Sequence, residues 1–138
     1  MERKQFLSLI GLSASSLVAS GLGGCSKGQG TSVLAPTNVD FILDLTQSAN
    51  QPLTTAGGFV YRNGIIIAQT LGGQYIAVSQ TCTHQNFTVT YVPGNHDFYC
   101  SGHGASFSES GQVTGGPARR PLATYQTSLN GNLLRVYS

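Results

Sequence analysis

Charge is scarce in this 138-residue chain, which has seven Lys and Arg and five Asp and Glu. That scarcity excludes a nucleic-acid footprint, which needs a concentrated basic surface. The one basic pair, Arg119-Arg120, reads as a solvated loop. Cysteine is rarer, at three residues, and an odd, sparse count excludes a disulfide framework. No apolar run reaches the roughly 20 residues of a membrane-crossing helix. No window after Asn38 sustains helical periodicity, and there is no internal repeat. Neither a nucleophile–base pair nor paired carboxylates nor a phosphate loop stands out, so independent catalysis has no support. Gly21-Leu22-Gly23-Gly24 is no nucleotide loop, because it falls within a targeting segment.

That segment comes first. Glu2-Arg3-Lys4 gives a charged start, an apolar stretch follows from Phe6 to about Val18, and small residues lead to Leu22-Gly23-Gly24-Cys25. This is the layout of a secretory signal over residues 1–24. Leu22–Cys25 resembles a bacterial lipobox, which implies lipid attachment at the Cys25 sulfur. Arg3–Leu7 resembles a twin-arginine export motif with Lys4 at the second arginine. Residues 25–37 are polar and Gly-rich and read as a flexible tether. The expected location is the extracytoplasmic or periplasmic face of a bacterial membrane, held there by the lipid. Without residues 1–24, five cations face four anions, a net charge of +1.

Glycine is plentiful, at 18 residues, and most of it separates short apolar runs. Val39 to Thr46 alternates as a half-buried strand does. Phe59–Arg62 and Ile65–Ala68 flank Asn63-Gly64, and Leu122–Leu129 and Asn132–Tyr137 flank Asn130-Gly131. Both are hairpin signals, since Asn-Gly tolerates the positive φ of a tight turn. Tyr75–Val78 leads towards Cys82, and Phe87–Val92 and Asp97–Tyr99 are joined around Pro93-Gly94-Asn95. The pattern predicts an all-β domain over residues 38–138, an antiparallel sandwich or small barrel.

Cys82-Thr83-His84 follows one strand and Cys100-Ser101-Gly102-His103 follows another. Each loop offers a thiolate and an imidazole. If the intervening strands pair, both loops leave the same end of the sheet. Soft thiolates with imidazoles suit zinc or an iron–sulfur cluster. Mixed loops are unlike zinc fingers, which place a Cys pair before a His pair. His96, in Gly94-Asn95-His96-Asp97, reads as an exposed turn residue.

The two boxes, followed by Gly104, Phe107, Gly111, Val113, Gly116-Pro117-Ala118 and Pro121-Leu122, resemble the Rieske iron–sulfur family from about Val39 to Tyr137. The resemblance implies a [2Fe–2S] cluster bound by Cys82, His84, Cys100 and His103, in a small subdomain at about residues 80–120. Cysteines hold one iron and histidines the other. Imidazole in place of thiolate makes the cluster easier to reduce, at about −150 to +300 mV against about −400 mV for plant-type ferredoxins. The implied function is electron transfer, as a membrane-anchored ferredoxin-like carrier or small oxidoreductase subunit, with a redox protein or complex as partner. The alternative is a structural or binding lipoprotein with a zinc or empty site. A ring-hydroxylating enzyme would need two more histidines and a carboxylate in a further domain, and only His96 is left over.

Cytochrome bc-type members carry a further cysteine in each loop, forming a disulfide; the matching positions here are Phe87 and Gly102. They also place a serine and a tyrosine, both hydroxyl donors, where this chain has Ala105 and Phe107. Fewer hydrogen bonds to sulfur predict a potential towards the low end of the range. Ser106 is the remaining hydroxyl that could compensate. Gly115–Ala118 matches the proline loop that covers one side of the cluster, with glycines that permit close approach to the metal.

Overall fold

The computed structural model describes residues 35–84, 86–102 and 104–138. Ten strands follow in order: β1 (Asp40–Asp44), β2 (Phe59–Arg62), β3 (Ile65–Gln69), β4 (Tyr75–Ser79), β5 (Thr90–Val92), β6 (Asp97–Cys100), β7 (Ala105–Ser108), β8 (Val113–Gly115), β9 (Thr124–Asn130) and β10 (Leu133–Tyr137). They form a curled six-stranded sheet, β1-β10-β9-β4-β3-β2, and a four-stranded sheet, β5-β6-β7-β8. All ladders among the described residues are antiparallel.

β3 explains how two sheets make one domain. Its first four residues, Ile65–Ala68, are apolar and fully buried, and a strand covered on both faces reads as a continuous apolar run. Ile65 and Ile67 enter a core with Leu43, Leu53, Leu134 and Val136, enclosed by the six-stranded sheet. Ile66 and Ala68 point the other way, into a second core with Val89, which precedes β5, and with Phe98 and Phe107 from the small sheet. Tyr61 adds a polar tie, its hydroxyl donating to the Val89 carbonyl at 2.7 Å.

The β2–β3 turn is as the sequence predicts, with φ of 56° at Asn63 and 82° at Gly64. The second Asn-Gly pair is displaced by one residue. Asn130 pairs with Leu133 inside the ladder, so the turn is Gly131-Asn132, with positive φ at Gly131, as turns with glycine in first position require. The strand expected over Phe87–Val92 contracts to Thr90–Val92, with Thr88 making a single bridge to Thr81. Between Leu45 and Phe59 the chain makes a 3-10 segment, Ser48–Thr54, whose Leu53 plugs the first core.

Candidate metal centre

Cys82-Thr83-His84 and Cys100-Ser101-Gly102 lie at hairpin tips. Beyond β4, Val89 donates its N–H to the Gln80 carbonyl and Cys82 to the Phe87 carbonyl, each at 2.8 Å. These bonds close the base of the first loop. In the second, Cys100 ends β6 opposite Ala105, the first residue of β7, and the Gly104 N–H donates to the Cys100 carbonyl at 3.0 Å. Thr90 pairs with Tyr99, so the start of β5 lies beside the end of β6. Both tips therefore leave the small sheet at one end.

A third loop completes the arrangement. Leu122 is returned to the small sheet by its N–H bond to the Gly111 carbonyl at 2.8 Å, while Ala118 and Leu122 are buried in the second core. Gly116 lies with φ of 80° hard against the second tip: a Cβ there would stand 2.5 Å from the Gly104 carbonyl oxygen and the Ala105 Cα. Gly115 has no such neighbour within 4 Å. Of the two glycines expected to allow close approach, only Gly116 is required sterically, and what it approaches is the second loop's backbone. The Thr83 hydroxyl donates to the Arg120 carbonyl at 2.7 Å, fastening the first tip to this third loop. The first and second tips meet through Phe87, whose ring occupies the space above Gly102; a Gly102 Cβ would fall 2.3 Å from its Cδ2. Each loop thus touches the other two.

Cys82 is 3% exposed and Cys100 1%, both within the second core. Neither is part of a disulfide among the described residues. His84 is exposed and lines an open depression of about 530 Å³ with Thr83, Gly116, Pro117, Ala118, Arg119 and Arg120. His103 and Cys25 lie outside the described residues. This donor set suits a [2Fe–2S] cluster, with thiols in an apolar interior, an imidazole at the rim, and a glycine-backed loop alongside.

Ala105 and Phe107 are fully buried on the face that Cys100 shares. Ser106 pairs with Tyr99, which is 39% exposed, and so points to the opposite face. Its hydroxyl does not replace the missing donors. The carboxylates of the small sheet stand at its far end. There the Tyr91 hydroxyl donates to Glu109 Oε2 at 2.7 Å, and burial with the Glu109 charge pushes the Tyr91 hydroxyl far above its usual range. Burial, and then Glu109, also raise the Asp97 carboxyl. His96 is exposed with φ of 55°, and its Nδ1 lies 3.6 Å from Glu109. Sequence reasoning singled out Phe87, Gly102 and Gly116 but could not show that they touch one another's loops.

Residues 43–126 match the Rieske [2Fe-2S] domain. The chain is 31% identical over 78 residues to the cytochrome b6-f complex iron-sulfur subunit of Chlorobaculum thiosulfatiphilum, covering 56% of this chain and 43% of that protein. The subunit of Chlorobaculum tepidum is 27% identical over 89 residues, covering 64% and 49%. The chain thus spans just under half the length of these relatives. Among solved structures, the Sphingomonas yanoikuyae B1 ferredoxin has the same fold, with a TM-score of 0.53, 23% identity, and coverage of 61% and 88%. The paired Cys–His boxes, the two buried sulfurs and the match across most of the β-domain lead to one assignment. The chain belongs to the Rieske [2Fe–2S] domain family, and its cofactor is a [2Fe–2S] cluster.

Proposed function

We propose that Cys82 and Cys100 hold the inner iron and His84 and His103 the outer one, and that the protein is an exported one-electron carrier. In this reading Cys25 carries the lipid, residues 25–37 form the tether, residues 38–138 form the domain, and the partner is a redox protein or a larger oxidoreductase complex. The observation that carries the ligand assignment is the burial contrast: both cysteines lie in the apolar core while His84 lies at an open rim. When bound, the cluster supplies a one-electron couple.

The chain's own residues set the conditions for that couple. Cys82 and Cys100 keep the sulfur side away from water, so little solvent must reorganise around it. His84 presents an imidazole edge to a partner and can hold a proton on its distal nitrogen. Three mutually braced loops keep the donors in place. Ala105 and Phe107 offer no hydroxyl to sulfur and Ser106 faces away, so the potential falls in the lower half of the range of about −150 to +300 mV.

Low-temperature electron paramagnetic resonance on the reduced native protein tests the reading. A rhombic spectrum with average g below 2 is expected, and a silent, colourless, zinc-containing sample would refute it. Voltammetry tests the second part, and a value near the top of the range would contradict it. Export and lipidation are tested by mass spectrometry of the membrane-extracted protein, with a diacylglycerol adduct expected at Cys25.

A further inference from the structure

Among the described residues the formal charges balance, with Arg62, Arg119, Arg120 and Arg135 against Asp40, Asp44, Asp97 and Glu109. Their placement is uneven. Arg135 is forked onto Asp40, with both hydrogen bonds at 2.9 Å, and Arg62 donates to the Asn50 side chain at 2.8 Å. Arg119 and Arg120 are exposed and form no ion pair among the described residues. Both line the depression that holds His84, and the Thr83–Arg120 bond fixes their backbone to the His84 loop.

The anions of the small sheet lie at its other end. Asp97 opens β6, which ends at Cys100, and Glu109 follows β7, which starts at Ala105. Three strand steps of about 3.4 Å put roughly 10 Å between the two ends. The arginines of the third loop thus stand at the imidazole rim and the carboxylates at the opposite end of the small sheet, a charge separation with its positive end at the rim. Such a field orients an incoming partner before contact. Arginine, unlike lysine, can then fork onto a carboxylate. Phe87, 45% exposed and resting on Gly102 in the neighbouring loop, adds the apolar area typical of interface cores.

Resting on the electron-transfer reading above, we infer that the rim formed by His84, Pro117, Arg119 and Arg120 docks a redox partner through a carboxylate-bearing surface. An anionic membrane is the poorer fit, because lipid-binding patches gather about 4–8 basic residues and this one has two.

The experiment is stopped-flow oxidation of the reduced, cluster-loaded full chain by two probes, hexacyanoferrate(III) and tris(phenanthroline)cobalt(III), in native protein and R119E/R120E. Comparing an anionic with a cationic oxidant cancels any change in driving force. The anionic rate of the native protein is expected to fall as ionic strength rises from about 0.01 to about 0.2 M. In the variant it drops about tenfold relative to the cationic rate and loses that salt dependence. Poly-L-glutamate slows the anionic reaction of the native protein only. An unchanged ratio of the two rates, or no inhibition by poly-L-glutamate, overturns the assignment. So does Arg119- and Arg120-dependent binding of a C25A chain to phosphatidylglycerol vesicles, which would assign the rim to lipid. A chain without a cluster signal fails the underlying reading before any rate is measured, so the two failures are distinguishable.

Discussion

Gly102→Ala isolates the contact between the first and second loop tips. The added methyl would lie 2.3 Å from Phe87 Cδ2 and 2.5 Å from Cε2, so the ring must withdraw about 1.1 Å to reach ordinary contact near 3.4 Å. Phe87 is 45% exposed, so the ring can swing into solvent. The cost therefore sits at the low end of overpacking, about 1 kcal/mol. Gly102 has no positive φ, so alanine meets no backbone penalty and returns a few tenths of a kcal/mol through the unfolded chain. A net loss of about 0.5–1 kcal/mol lowers Tm by about 2–8 °C in a domain of this size. Calorimetry of the loaded protein checks the shift. Loss of visible absorption in excess chelator checks the consequence for the centre, with faster bleaching expected. Phe87→Ala weakens the same loop–loop contact, yet F87A/G102A should be better than the two losses added together, because the methyl then has no ring to displace. Strict additivity, or a Tm for G102A within 1 °C of native, would refute the idea that this contact joins the loops.

Gly116→Ala meets backbone rather than a movable ring, with φ at 80° and a carbonyl oxygen 2.5 Å away. It should cost about 3 kcal/mol or more, and iron content per chain should fall sharply. Pro117→Gly loosens an exposed part of the same loop without removing a donor, so chelator bleaching should quicken while Tm changes little. Asp97→Asn concerns pH. Burial and Glu109 raise the Asp97 carboxyl above 3.8, and its Oδ1 is buried without a hydrogen-bond partner. Above 3.8 the folded state keeps a proton that the unfolded chain releases, so native stability falls as pH rises through the window up to the raised value. The asparagine variant should flatten that decline and be more stable at neutral pH, as denaturant midpoints across pH will show; an unaltered slope contradicts it.

Local signals carried the sequence reading, and non-local contacts mark where it ended. Asn63-Gly64 specifies a turn from its own φ preferences, and Ile65–Ala68 shows by its unbroken apolar run that both faces are covered. The boxes at Cys82 and Cys100 are legible because each sits within four residues. Asn130-Gly131 misled by one position, since the ladder with β10 chooses which pair turns. β7 and β8 are too short, at four and three residues, to show a strand period in the sequence. The Ser48–Thr54 segment is too brief to show a period. Thr83 with Arg120, and Phe87 with Gly102, meet only when the whole small sheet has formed, and no periodicity announces such pairs.

The pairing of β1 with β10 places side by side two strands made about 90 residues apart. At ribosomal speeds of about 5–20 residues per second, β1 waits roughly 5–20 s for its neighbour. Until β10 is made, the Phe41-Ile42-Leu43 segment lacks its ladder partner, and an unpaired apolar segment is open to association with other chains. Asp40 and Asp44 bracket it on either side, as charged gatekeepers do around unavoidable apolar strands. Like charges at both ends of a short apolar segment disfavour its pairing with a second copy of itself, a consequence separate from the Asp40–Arg135 bonds of the finished fold.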